Sequence, residues 1–344
     1  MTAGLEVRDL ALRFGNSPGL DHLSFEVKPG ERLIILGASG AGKTSLLRAV
    51  AGLLPLTAGR VLVAGRDVTD EPPERRDAVY LHQTPLLFSH LSVFENVAFA
   101  LRVRGAAAGV IAATVGALLK SVQLAGSEHR RPHTLSGGQR HRVALARAMA
   151  AKPAVLLLDE PLASLDPSLR EEVRTALFTL QAEYQPAVVL VTHDLDEASA
   201  LGHRIGVLLE GRLAQVATPE ILFRYPASVA VARFLGIPNA VPGRITGGTF
   251  ESSIGGFRIG GATPDGRVVA VFGTDALRSD VNGTVQGNVM AIRHGPARIL
   301  ATVQSADVVL TYAPPPDAIP LPGDLVHLAL DPLQVTLCTE AADA

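Results

Sequence analysis

Gly37-Ala38-Ser39-Gly40-Ala41-Gly42-Lys43-Thr44 decides the fold. The stretch fits G-x-x-x-x-G-K-[ST], a loop whose backbone closes around phosphate groups. The apolar run Leu33-Ile34-Ile35-Leu36 reads as a buried parallel strand leading into it, and residues 44–50 begin a helix. The strand–loop–helix context that the motif requires is therefore present. Glycines let backbone N–H groups surround an oxyanion, and the helix N-terminus adds positive potential. Lys43 can reach outer phosphates, and the Thr44 hydroxyl suits Mg2+. An ordinary glycine turn before a helix does not need the Lys-Thr pair. The loop implies nucleotide binding and leaves open what the nucleotide is used for.

Composition narrows the classes. At 344 residues, two domains are expected, and 47% hydrophobic with 19% charged residues supports packed cores rather than disorder. A formal net charge of −2 argues against a strongly basic nucleic-acid binder. The single cysteine, Cys338, excludes an internal disulfide and fits a reducing compartment. The opening Met1-Thr2-Ala3-Gly4-Leu5-Glu6 lacks the basic and apolar segments of a signal peptide. The longest uncharged apolar run, residues 105–119, is shorter than the roughly 20 residues that cross a bilayer. Any membrane role is expected to run through a partner.

Upstream of the loop, residues 1–30 alternate apolar and polar and read as antiparallel strands around a turn at residues 15–19. Phe14 precedes that turn and could stack on a base. Downstream, Ala78-Val79-Tyr80-Leu81 reads as a strand that delivers Gln83 to its carboxyl end. Ser92-Val93-Phe94-Glu95 is a capping box opening a helix to about Val103, and residues 109–122 suggest another. Ser136 stands at an N-cap position beside Gly137 and Gly138, ahead of helical spacing at Val143, Leu145, Ala146 and Met149. That makes a second anion-receptive helix start. Val155-Leu156-Leu157-Leu158 is a buried strand ending in Asp159 and Glu160. A strand so apolar acquires a reason for two acids at its tip from Mg2+ chemistry: one holds metal-bound water and the other orients an attacking water. Asp166-Pro167 opens a helix to about Glu183. Ala187-Val188-Val189-Leu190-Val191 ends at Thr192-His193-Asp194. Gln83, Asp159, Glu160 and His193 thus fall at strand ends of one sheet, where open α/β sheets bind ligands.

This order of motifs resembles the ATP-binding subunits of ABC transporters over about residues 5–236. Leu135-Ser136-Gly137-Gly138-Gln139 is that family's LSGGQ signature, accompanied in order by GASGAGKT, LLLLDEP and VTHD. The resemblance implies an α/β fold, a P-loop ABC ATPase domain with a helical subdomain at about 84–150, and ATP and Mg2+ as cofactors. It implies that Phe14 stacks on adenine and that residues 37–45, which are Gly37, Ala38, Ser39, Gly40, Ala41, Gly42, Lys43, Thr44 and Ser45, hold the phosphates. Thr44, Gln83 and Asp159 would serve the metal. Glu160 would be the general base and His193 would contact the γ-phosphate, while Gln83 also senses a permease. Ser136, Gly137, Gly138 and Gln139 would face the nucleotide of another subunit, with Asp166 communicating across that dimer. One phosphate loop and one signature cannot close an ATP sandwich alone, so a homodimer or a similar ATPase subunit is required. The segment 86–95 would receive a coupling helix of the permease.

Past residue 236 the texture turns glycine-rich, and short runs such as 268–272, 297–303, 308–312 and 325–330 read as strands. A small β-barrel over 237–344 is similar to the OB-like regulatory domain of importer ATPases for oxyanions, polyamines, ferric iron and sugars. Arg298-Ile299-Leu300 and Pro322-Gly323-Asp324 keep that pattern, whereas Val271-Phe272-Gly273-Thr274-Asp275 departs from it. The expectation is an ATP-hydrolysing importer subunit on the cytoplasmic face of the inner membrane, working with a permease and an extracytoplasmic solute-binding protein. Its substrate is expected to be an oxyanion such as molybdate, tungstate or sulfate, ahead of a polyamine, iron or sugar. A soluble ABC ATPase and a metabolic kinase are the competing classes. The first commonly carries two cassettes or long coiled coils, and the second has no use for LSGGQ.

Overall fold

The apolar runs that end at the phosphate loop and at the paired carboxylates become neighbours in one sheet. The computed structural model describes residues 3–14, 17–163, 165–259, 264–295 and 298–339, in two units, Met1–Pro219 and Glu220–Ala344. The first contains β1 (Leu5–Phe14), β2 (Ser17–Val27), β3 (Arg32–Leu36), α1 (Lys43–Val50), β4 (Ala58–Val63), β5 (Arg66–Asp67) and β6 (Ala78–Leu81). It continues with α2 (Val93–Val103), α3 (Ala108–Ser121), α4 (Gly137–Ala150), β7 (Val155–Asp159), α5 (Pro167–Tyr184), β8 (Ala187–Thr192), α6 (Leu195–Leu201), β9 (Arg204–Leu209) and β10 (Arg212–Ala217).

The main sheet has the order β10-β9-β3-β8-β7-β6, with β10 antiparallel and the rest parallel. Both faces of its centre are covered, which is why β7 and β8 are apolar without alternation and buried at every residue. Leu33, Ile35, Leu157 and Val189 join Leu46 and Leu47 of α1 and Leu5, Val7 and Val61 of the second sheet, β2-β1-β4-β5, in one core. Leu158 and Leu190 line a cavity of about 40 Å³ with Ala144, Leu145, Val173 and Leu177 of α4 and α5. The register places Leu36 opposite Thr192, Val191 opposite Asp159 and Leu158 opposite Leu81. All four strands consequently deliver their next residues to the same carboxyl edge.

The helices follow their capping signals. Ser92 and Glu95 form the expected reciprocal box, as do Ser136 and Gln139. Asp166 accepts from Leu169 N–H ahead of Pro167. The helix α4 packs against α2, α3 and α5. The N-terminal turn is shorter than expected: Ser17, Pro18 and Gly19 already belong to β2, because Phe14 pairs with Ser17. Gly15 and Asn16 lie outside the described residues.

The second unit has α7 (Pro219–Arg224), α8 (Val229–Phe234), β11 (Asn239–Thr246), β12 (Thr249–Ser252), β13 (Gly255–Arg258), β14 (Gly266–Phe272), β15 (Leu277–Ser279) and β16 (Val285–His294). Then come β17 (Ile299–Ser305), β18 (Val308–Tyr312), β19 (Leu325–Leu330) and β20 (Thr336–Thr339). Two five-stranded antiparallel sheets, β13-β12-β11-β14-β20 and β15-β19-β16-β17-β18, enclose a core built from Phe250, Phe272, Val289, Val303, Leu310 and Tyr312. The result is barrel-like. Asn239 staples the two sheets, accepting from Thr311 N–H at 2.7 Å and donating to Thr311 O at 2.8 Å. Asp275, in the segment that departs from the regulatory-domain pattern, pairs with Arg298 at 3.1 Å. Ala232 of α8 packs with Val269, Val271 and Cys338, so this helix shares the barrel's apolar surface.

Candidate active site

The phosphate loop leaves β3 with Gly37 N–H donating to Thr192 O at 3.4 Å, and it enters α1 through Gly42. Gly42 has φ 98°, a left-handed value that favours glycine, and a Cβ there would lie 2.6 Å from Leu20 Cδ2. Lys43 is buried, 6% exposed, with Nζ donating to Gly37 O at 2.8 Å and Ala38 O at 2.9 Å. Burial lowers its pKa, while Glu160 and Asp159 oppose that shift. Nζ lies 3.9 Å from Glu160 Oε1. The ammonium is thus folded over the loop it would share with an outer phosphate.

Asp159 holds the opposite side. Thr44 Oγ1 donates to its Oδ1 at 2.9 Å, and the Tyr80 hydroxyl donates to its Oδ2 at 2.6 Å. Burial and that carboxylate push the Tyr80 pKa up to about 12, so the phenol remains a donor. Thr44 and Asp159 together offer the hard oxygen donors that Mg2+ prefers, and the donor set fits that ion. Glu160, the next residue, has φ 44° and is tied through its N–H to Val191 O at 3.0 Å. Its Oε1 lies 3.2 Å from His193 Nδ1. Lys43, Thr44, Asp159, Glu160 and His193 are therefore brought together as the strand ends implied.

Among the described residues, the remaining site residues make no hydrogen bond or ion pair to this group. Gln83 is exposed at the tip of β6, held by its carbonyl oxygen 3.2 Å from His141 Nε2. Ser136 caps α4, accepting from Gln139 N–H at 3.2 Å while Gln139 Oε1 accepts from Ser136 N–H at 3.0 Å. A Cβ on Gly138 would meet Leu169 of α5 at 2.9 Å, so the glycine permits close packing of the two helices. The Leu169 and Ser168 bonds lower the Asp166 pKa. Among the described residues no hydrogen bond or ion pair joins residues 135–139 to residues 37–44. The side chain of Phe14, expected on the base, lies outside the described residues. Tyr80, His141 and Glu197 escaped the sequence reading. None of the three side chains itself belongs to a motif, and Tyr80 and His141 reach partners 79 and 58 residues away.

A family model described as ABC transporter matches residues 20–163. The spermidine/putrescine import ATP-binding protein PotA of Rubrobacter xylanophilus is 43% identical over 266 residues, covering 76% of this chain and 71% of that protein. The chain belongs to the ABC transporter ATP-binding family. The sulfate/thiosulfate import ATP-binding protein CysA of Mycobacterium bovis is 44% identical over 245 residues, 71% of this chain and 70% of the relative. A solved structure of cbiO1 from Clostridium perfringens, described as part of the ABC transporter complex cbiONQ, superposes with TM-score 0.60 at 29% identity. It covers 65% of this chain and 91% of that one. This ABC protein is an ATPase, and none of its described helices is long and apolar enough to cross a membrane.

Proposed function

We propose that the chain is the ATP-hydrolysing subunit of an importer, acting as a dimer at the cytoplasmic face of a membrane permease fed by a solute-binding protein. The observation that carries this reading is the separation of the complete phosphate-loop cluster from an equally well-formed signature N-terminus within one chain. Each anion site is finished only by a second copy. Residues 37–45 would hold the ATP phosphates, with Phe14 against the base. Mg2+ supplies charge neutralisation at the phosphates, held by Thr44, Asp159 and Gln83. Glu160 accepts the proton of the attacking water, and His193, hydrogen-bonded to Glu160, faces the γ-phosphate. Ser136, Gly137, Gly138, Gln139 and Asp166 serve the partner copy's nucleotide. In this reading residues 1–236 form the ATP-binding domain and 237–344 the regulatory one. Leu86, Phe88, Phe99 and Val103, on the segments that follow Gln83, are exposed, with the Phe88 and Phe99 rings 4.8 Å apart, and would suit a permease helix.

The proposed solute is an oxyanion such as sulfate, molybdate or tungstate, supported by the similarity to CysA. A polyamine is the second reading, favoured by the similarity to PotA. The test is uptake of labelled oxyanion and of labelled spermidine by cells expressing the chain with its permease, using wild type and Glu160→Gln. Glu160→Gln should retain ATP binding while turnover falls by roughly 10²–10⁴-fold, the size of lost general-base help, and uptake should stop. Near-normal turnover removes Glu160 from its role. Spermidine uptake without oxyanion uptake selects the second reading.

A further inference from the structure

The strand that delivers Gln83 is clasped on both sides by side chains outside the family motifs. Tyr80, midway along β6, donates to Asp159 Oδ2 at 2.6 Å, while Thr44 Oγ1 takes Oδ1 at 2.9 Å. Both carboxylate oxygens are oriented, one by the phosphate loop and one by β6. Beyond the strand, Gln83 O lies 3.2 Å from His141 Nε2, and His141 Nδ1 lies 3.0 Å from Gly137 O. His141 is buried on α4, one turn after the signature glycines. Facing two carbonyl acceptors, its ring can donate an N–H to at least one of them. It fills the gap between them. Between these two clasps the chain is a short strand laddered to β7, with Tyr80 opposite Leu157 and Leu81 opposite Leu158. A paired strand moves as a unit more readily than it stretches.

We propose that Tyr80 and His141 are positioning residues that make β6 a rigid link between Asp159 and the signature helix, so that displacing the Gln83 segment is felt at both anion sites. The linkage rests on the reading of Asp159 as the metal carboxylate. It goes beyond that reading by assigning the coupling to two particular side chains. Tyr80 acts through Asp159, and His141 acts through the Gln83 and Gly137 carbonyls.

The test measures ATP affinity of the full chain with and without Mg2+ for wild type, Tyr80→Phe, His141→Leu and the double variant. Tyr80→Phe removes one hydroxyl and should cut the Mg2+-dependent gain in affinity about tenfold, as expected for one hydrogen bond to a charged group. Metal-free affinity should stay unchanged. His141→Leu should lower the same gain several-fold, although His141 makes no contact with Thr44 or Asp159. The double variant should be no worse than Tyr80→Phe alone, since linked residues are non-additive whereas independent ones multiply their effects. His141→Gln, which keeps an N–H, should restore part of the loss, and it replaces His141→Leu if that variant does not melt cooperatively. An unchanged Mg2+ gain in the His141 variants, or losses that multiply in the double variant, overturns the link. A wild type with no Mg2+-dependent gain overturns the metal reading of Asp159 and the link with it.

Discussion

Glu160 leaves β7 with a left-handed backbone, φ 44°, a conformation costing about 1–3 kcal/mol for a residue with a Cβ. Its carboxylate lies within 3.2 Å of His193 Nδ1. Thr192 is fixed from the other side: its hydroxyl donates to Glu197 Oε2 at 2.6 Å and accepts from Asp194 N–H at 3.1 Å. Glu197 Oε1 is buried without a hydrogen-bond partner among the described residues. Burial raises the Glu197 pKa, the Thr192 bond lowers it, Asp194 and Glu160 raise it, and Arg170 lowers it. A carboxyl raised in the folded state binds its proton more tightly there than in the unfolded chain. Its stabilising contribution is full below the unfolded value, near 4.5, and is lost as pH rises through the raised folded value. Glu197→Gln does not titrate, so its Tm relative to wild type should be higher at pH 8 than at pH 4.5. Thermal melts at the two pH values decide this, and an equal difference at both would show that Glu197 is not the titrating group. Glu160 and His193 were legible because they sit in motifs at strand tips. Glu197 was not, since a carboxylate in the first turn of a short helix looks solvated until the packing around it is seen.

Among the elements, α1 is short, only eight residues, yet its N-terminus must stay aimed at phosphate. Its other end is held by Arg76, a buried cation whose Nη1 donates to Ala49 O and Val50 O, both at 3.1 Å. Nε donates to Glu71 O at 2.8 Å and Nη2 to Thr69 O at 2.6 Å. The guanidinium satisfies the last carbonyls of the helix and complements its negative end. Burial lowers the Arg76 pKa, offset in part by Asp70 and Glu71. Arg76→Ala should destabilise the first unit by about 2–4 kcal/mol, the scale of two or so lost charge-assisted bonds to buried carbonyls. Arg76→Lys should recover only part of this, because one ammonium cannot serve four carbonyls in a planar fork. Denaturant unfolding checks both, and a wild-type midpoint for Arg76→Ala would show the helix end to be held otherwise. Helices and parallel strands announced themselves through capping boxes and unbroken apolar runs. The strand β13 was harder to see, since Gly255 and Gly256 supply no side chain to mark a face. Arg76 gave no signal at all, because its partners are backbone carbonyls.

At the scale of the whole molecule, the ATPase class was legible from four ordered motifs. The helix α8 reads as a continuation of the ATP-binding domain, yet its apolar face is matched by Val269, Val271 and Cys338, a complementarity that exists only after the barrel has folded. The proposed arrangement that most constrains function is a division of labour between two copies. Lys43 and Glu160 form one cluster, Ser136 caps another helix, and no described bond joins them. If the composite site is real, Ser136→Arg blocks the partner's γ-phosphate position while leaving its own phosphate loop able to bind ATP. Lys43→Ala does the reverse. A mixed dimer then contains one intact site, built from the Ser136→Arg copy's loop and the Lys43→Ala copy's signature, and one site damaged twice. Each variant alone should show at most background hydrolysis. Mixing them at concentrations that saturate dimerisation should restore ATP-driven closure, measured by crosslinking or light scattering, and hydrolysis to the extent that one site suffices. Normal hydrolysis by Ser136→Arg alone would mean that the signature serves no partner nucleotide, and no restoration of closure on mixing would mean that the two damaged halves do not complement across a dimer.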